Sequence, residues 1–215
     1  MRYLKTFAGV LLYLLIACLA LLPVLAIRVN IESANYVIAV TIWAIGTALF
    51  FFPALAVIIN KVWFFSGKGE PISLERLQQL LLEMNDFNAP VSVQKQRKKI
   101  IVTWRHQDQA WCELLEQTKM KKLYELWIRF DNSTKTATMT DKYRSVDWTL
   151  SPIKLKTGWL ALSKPYFQVE TGADWGVENY VDSHPEDYRF SPNEIKSPVL
   201  NTIIKHGWNV RFSLF

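Results

Sequence analysis

The chain has 215 residues, half of them hydrophobic, with 25 lysines and arginines against 19 aspartates and glutamates. That length holds about one domain plus a membrane segment and excludes a large multidomain assembly. The net charge of +6 divides into +2 over residues 1–60, whose only charged side chains are Arg2, Lys5, Arg28 and Glu32, and +4 over the remainder. So mild an excess suits lipid headgroups and falls short of the dense basic stripe of a nucleic-acid binder, so no nucleic-acid partner is expected.

From the N-terminus, 22 uncharged residues separate Lys5 from Arg28. As a helix rising 1.5 Å per residue they reach roughly 33 Å, the thickness of a bilayer's hydrocarbon core. A second uncharged run of 28 residues extends from Ser33 to Asn60, with Tyr36 near its start and Trp63, Phe64 and Phe65 just beyond its end, where aromatic side chains favour the membrane interface. The expected spans are 7–27 and 36–59, joined so tightly that they return as an antiparallel hairpin over residues 1–65. Pro23 and Pro53 predict kinks within the spans. Gly46, flanked by Ala44 and Ala48, offers small residues for close helix contact, but Phe50 stands four residues on in place of a second glycine, so the dimer-motif signal is weak. A cleaved signal peptide fits poorly, because the apolar run is long and a second span follows. Leu15-Ile16-Ala17-Cys18 has the look of a lipoprotein box, but the residues after Cys18 stay apolar where a mature lipoprotein turns polar.

Loop charges set the expected orientation. Arg2 and Lys5 precede the first span and Lys61, Lys68 and Arg76 follow the second, against Arg28 and Glu32 between them. By the positive-inside rule both termini are cytoplasmic, in a plasma (bacterial inner) membrane. Cysteine usage agrees, since Cys18 lies in a span and Cys112 is the only other, so no structural disulfide is expected.

Residues 66–71, Ser-Gly-Lys-Gly-Glu-Pro, have the turn-forming composition of a linker, and 72–215 form the expected cytoplasmic domain. Ser73 is a good N-cap, followed by Leu74, Leu77, Leu80, Leu81 and Met84 at helical spacing, which predicts a helix over 74–87. Val91 and Val93, a turn over 94–98, and the alternation of Ile100, Val102 and Trp104 predict a hairpin. A second hairpin pairs 124–130 with a Thr-rich strand over 135–143 across Asp131-Asn132-Ser133-Thr134. Residues 109–117 suit a short helix and an irregular strand equally. Strands are expected at 159–162 and 166–171, then a polar, acidic loop over 172–187. Ser191, Pro192 and Glu194 predict a helix start, repeated by Ser197-Pro198, and Gly207 its C-cap. Trp208, Val210, Phe212 and Leu214 alternate as a closing strand. The fold class is α+β, a mainly antiparallel sheet with about two packed helices behind a transmembrane hairpin.

Few chemistries have residues to support them. His106, His184 and His206 are too dispersed for a zinc site, Cys112 lacks a nucleophile signature, and the eight glycines form no phosphate loop, so no cofactor is expected. Glu170, Asp174, Glu178, Asp182, Glu186 and Asp187 crowd together with His184, and among them Asp174, Glu178, Asp182 and His184 are the candidates for a hard cation. They lack the acid spacing and central glycine of an EF-hand, and a solvated loop is the favoured reading. Two basic clusters, Lys95, Arg97, Lys98 and Lys99 at the first hairpin turn and Lys119, Lys121 and Lys122 before the next strand, form a candidate surface for anionic lipid headgroups or a partner. Trp127 shares a strand face with Glu125 and Arg129, an aromatic anchor in that surface if exposed. The function expected is a membrane-anchored binding or adaptor module with the bilayer and a protein partner or second copy. The alternative is a membrane-tethered enzyme using the acidic segment 170–187. A channel subunit is less favoured because neither span carries a central charge.

Overall fold

In a computed structural model the chain divides into two units, Met1–Trp63 and Phe64–Phe215. The structure describes residues 1–29, 32–118, 120–147, 154–156, 166–172, 176–180 and 188–214.

In the first unit, helix α1 (Arg2–Ala26) and helix α2 (Ser33–Val62) continue unbroken through Pro23 and Pro53. They pack antiparallel, as their cross-contacts establish: the Trp63 indole Nε1 donates to Thr6 Oγ1 at 3.1 Å, the Tyr13 hydroxyl to the Thr47 carbonyl, and Trp43 Nε1 to the Ala17 carbonyl at 3.1 Å. Tyr3 meets Trp63, and Tyr13 meets Phe51, edge to face. The close approach falls at Gly9, where a β-carbon would sit 3.0 Å from Ile58 Cγ2; Gly46 faces open space. The approach of the two helices to each other therefore does not use Gly46, one of the small residues the sequence offers for close contact. Both helices are long and apolar enough to cross a membrane. No residue of α1 is buried and only Ile59 of α2 is, leaving side chains such as Leu4 and Phe50 about 70% exposed.

In the second unit, strand β1 (Phe64–Phe65) precedes helix α3 (Leu74–Leu82). The Ser73 hydroxyl accepts the Arg76 amide at 3.2 Å, capping α3 as its sequence requires, and the apolar stripe buries Leu77 and Leu81. A 3₁₀ turn (Glu83–Asp86) finishes what the sequence suggests is one longer helix. There the Asn85 amide side chain bonds both the N–H and the C=O of Val93, at 2.8 and 2.9 Å, and blocks an otherwise open strand edge.

Strands β2 (Val91–Gln96) and β3 (Lys99–Trp104) form the first hairpin. Residues 109–117 are a helix, α4 (Gln109–Gln117): the Asp108 carboxylate accepts the Ala110 amide at 3.1 Å, an N-cap that decides an ambiguous pattern. Strands β4 (Lys122–Asp131) and β5 (Thr136–Asp147) pair over ten residues, and the short β6 (Lys154–Lys156) joins the far end of β5. Helix α5 (Pro192–Lys205) leads into β7 (Asn209–Ser213). The strand order is β1-β7-β5-β4-β3-β2, and β7 pairs parallel with β5, Thr136 opposite Asn209. Among the described residues the sheet is mainly antiparallel, as expected, with β5–β7 the parallel pairing that makes it mixed, and three helices accompany it. The cause is the connection: a chain that leaves β5 and returns through a helix comes back parallel.

Pro198 lies inside α5. It has no N–H for the carbonyl of Glu194 four residues back, and the buried Tyr180 hydroxyl donates to that carbonyl instead. Glu194 in turn accepts the amides of Arg189 and Phe190 at 3.1 and 3.2 Å, so the capping acid reaches further back than the Ser191 cap position. Residues 166–171 are no strand. The amide of Glu170 donates to Ser197 Oγ at 2.9 Å, and the Asn201 amide group donates to the Glu170 carbonyl at 2.8 Å, so polar side chains of α5 satisfy this segment in place of a sheet neighbour. The strand expected at 159–162 lies outside the described residues.

Residues 66–71, read from sequence as a linker, are bonded to the domain: the Gly67 amide donates to Asn209 Oδ1 at 3.0 Å and the Lys68 amide to the Ile204 carbonyl at 2.8 Å. Gly207 ends α5 at φ +81°, and a β-carbon there would collide with the Glu70 carbonyl. Gly207→Ala is expected to lower stability by more than about 1 kcal/mol, because the native backbone conformation and the space both exclude a side chain. Chemical denaturation of wild type and variant measures it.

Candidate functional site

Strand alternation builds one polar face on the sheet. On β4 the residues Glu125, Trp127 and Arg129 point one way, and register places Lys99, Ile101 and Thr103 of β3 and Thr138, Thr140 and Lys142 of β5 beside them. At the centre Glu125 is buried, accepting the Trp127 indole N–H at 2.8 Å on one carboxylate oxygen and pairing with the Arg144 guanidinium on the other. Thus fixed, the Trp127 ring carries the Lys99 ammonium 3.0 Å above its centroid, with Lys142 5.7 Å away. Burial, opposed by Glu125 and reinforced by Arg144, Arg129 and Lys142, lowers the Lys99 pKa below the usual lysine value.

Next to this stack an open concavity of about 660 Å³ is lined by Gln96, Arg97, Lys98, Lys99 and Arg129. Arg97 and Lys98 form the β2–β3 turn, with Arg97 at φ +45°. Among the described residues no carboxylate lines the concavity, and Arg97, Lys98 and Arg129 make no ion pair. Such a site can hold an anion with several oxygens.

The structure separates the two basic clusters that the sequence treats together. Lys121 and Lys122 are exposed at the start of β4, seven residues and roughly 24 Å along the strand from Arg129. Lys95 is exposed near the end of β2, opposite Ile100 and out of phase with Lys99; Lys119 lies outside the described residues. Trp127 is half-buried, its ring packed against long side chains of its own face. Sequence reasoning named Arg129 only as a face neighbour of Trp127 and missed Lys142 and Arg144, although the even-numbered run of Thr138, Thr140, Lys142 and Arg144 carries the signal.

Compared with protein-family models, curated proteins and solved structures, the chain matches none of them.

Of the acidic candidates, Glu178 stands in a 3₁₀ turn (Val177–Tyr180) and pairs with Lys205 at 2.7 Å, which holds its carboxyl below the usual range. Asp174, Asp182 and His184 lie outside the described residues, and among those described no group of three or more potential ligands is placed to hold a metal.

A second concentration of titratable groups is closed to solvent. The Lys196 ammonium on α5, fully buried, donates to Asp141 Oδ2 at 2.7 Å and to the Tyr166 carbonyl at 2.6 Å, 3.8 Å from the Phe212 ring centre. Asp141 also accepts the Tyr124 hydroxyl at 2.6 Å and the Tyr166 amide at 2.7 Å. This is a satisfied network that fixes β5, α5 and residue 166 together. Burial and Asp141 push the Tyr143 pKa up from 10.0 to about 12, and burial raises Tyr124 and Tyr180 still more strongly. Above pH 10 an unfolded tyrosine releases a proton that the folded one keeps, so the folded state binds more protons and stability falls from about pH 10 through 12. Lys196 runs oppositely, since its lowered pKa makes stability rise with pH toward 10.5. Denaturation midpoints are expected to drop beyond pH 10, and Tyr143→Phe to shallow that drop; an equal drop in the variant would assign it elsewhere.

Proposed function

We propose that the chain is a membrane-anchored binding module: α1 and α2 cross a bacterial-type plasma membrane as a hairpin with both termini cytoplasmic, and the sheet domain engages anionic headgroups and an adaptor partner or second copy. The observation that carries this reading is the uncovered apolar surface of two consecutive long helices, which water would not tolerate and hydrocarbon requires. The flanking charges support the orientation, with Arg2, Lys5, Lys61, Lys68 and Arg76 on one side against Arg28 and Glu32 in the turn. A single residue, Trp63, separates α2 from β1, so the domain is tethered at the end of the second span. On a domain so tethered, each cation that comes near anionic lipid gains about 1 kcal/mol.

Carbonate extraction of membranes expressing the full chain, combined with C-terminal reporter fusions, tests the proposal. Retention in the pellet with a reporter active only in the cytoplasm is expected. A chain released by carbonate overturns the anchoring, and a reporter active only outside the cytoplasm overturns the orientation.

A further inference from the structure

We infer that the concavity formed by Gln96, Arg97, Lys98, Lys99 and Arg129 is a binding site for a doubly charged phosphomonoester, presented by a membrane lipid headgroup. The inference deepens the membrane-anchored reading and rests on it for the lipid source; the recognition chemistry holds for a soluble phosphomonoester too.

Charge complementarity comes first. Among the described residues four cations and no anion line the concavity, while Glu125 on the same sheet face is already taken up by Arg144 and the Trp127 indole. A monoester phosphate carries about −1.5 to −2 near neutral pH and has three strong acceptor oxygens, whereas a diester headgroup carries a single charge. The larger charge answers the crowding of Lys99 by Arg129, Lys142 and Arg144.

Geometry comes second. Two guanidinium groups, Arg97 and Arg129, offer the planar forks that hold two phosphate oxygens at once. The Lys99 ammonium is held over a ring that Glu125 has fixed, so less side-chain freedom is lost on binding than for a solvated lysine. The concavity is open, as a ligand attached to a surface needs.

The turn adds an independent sign. Arg97 has φ +45° at the first position of a two-residue hairpin turn, a place that turn chemistry ordinarily gives to glycine or asparagine. Arg-Lys is a locally poor choice there for folding, and strained side-chain-bearing residues gather at ligand sites.

The test uses the full chain in lipid nanodiscs, with hydrogen exchange of the 91–104 hairpin as the readout. Three bilayers are compared: neutral phosphatidylcholine, and the same lipid with phosphatidylglycerol or phosphatidic acid matched for surface charge. Phosphatidic acid is expected to slow exchange several-fold more than phosphatidylglycerol. Arg97→Gln and Arg129→Gln are expected to weaken the effect about tenfold in lipid titrations, with Lys122→Gln, at the other end of β4, leaving it unchanged. Unaltered thermal melts of the variants separate lost binding from lost folding. Equal slowing by both anionic lipids overturns the phosphomonoester site and leaves the membrane-anchored reading standing. Slowing by glycerol 3-phosphate in neutral discs but not by phosphatidic acid retains the phosphomonoester chemistry and overturns the lipid source. A chain that stays soluble without lipid overturns the membrane reading, and the glycerol 3-phosphate arm then decides the site by itself.

Discussion

Asp141→Ala is expected to destabilise the sheet domain by about 3–5 kcal/mol, because it strands a fully buried ammonium. Lys196 has no route to water, and its remaining acceptor is the Tyr166 carbonyl. The Tyr124 hydroxyl and the Tyr166 amide lose their acceptor in the same step. The loss is a large share of the 5–15 kcal/mol typical of a domain. Lys196→Met in the same background removes the orphaned charge and is expected to recover a substantial part of that loss, since replacing both members of a buried pair by apolar groups is often close to neutral. Denaturant unfolding of the four combinations in detergent gives the coupling directly. A single-variant loss below about 1 kcal/mol would mean that solvent reaches Lys196.

Trp208→Ala carries the second large expected effect, about 3–5 kcal/mol from emptying a fully buried indole site. The ring meets Phe130 edge to face at 5.9 Å and lies below the Lys135 ammonium at 5.2 Å, and its N–H donates to the Ile72 carbonyl at 2.8 Å. Trp208→Phe keeps much of the packing and forfeits that hydrogen bond, so a smaller loss is expected, with faster amide exchange over residues 66–72. Stability and exchange that move together in Trp208→Phe without any change at 66–72 would show that the bond to Ile72 does not hold this segment.

Both sites illustrate what pattern can and cannot carry. Hydrophobic alternation placed both hairpins and β7, and capping chemistry placed α3 and the start of α5, since these depend on neighbours in sequence. The parallel β5–β7 pairing was not legible, because it depends on where a long connection returns the chain. Lys196 reads as a surface lysine until α5 is laid against β5, and Tyr166 to Thr171 reads as a strand until Ser197 and Asn201 take its backbone groups. In the candidate site, the turn residues Arg97 and Lys98 were legible as a basic cluster. Joining them to Arg129 required the β3–β4 register, and separating them from Lys122 required the length of β4. The pattern of residues 109–117 leaves helix and strand open when read without Asp108, whose carboxylate caps α4.

The strand order has a consequence for how the protein is made. β7 lies between β1 and β5, yet it is synthesised after every other strand of the sheet. Until it is made, β1 has no strand partner and the β5 edge over residues 136–140 stands open. The described strands form one sheet only once β7 slots into the gap, so cooperative folding waits on residues 209–213. A nascent chain interrupted before them uncovers Phe65, which the complete domain buries against Phe212, and leaves an unpaired edge, the features by which chaperones and proteases distinguish unfinished products from finished ones.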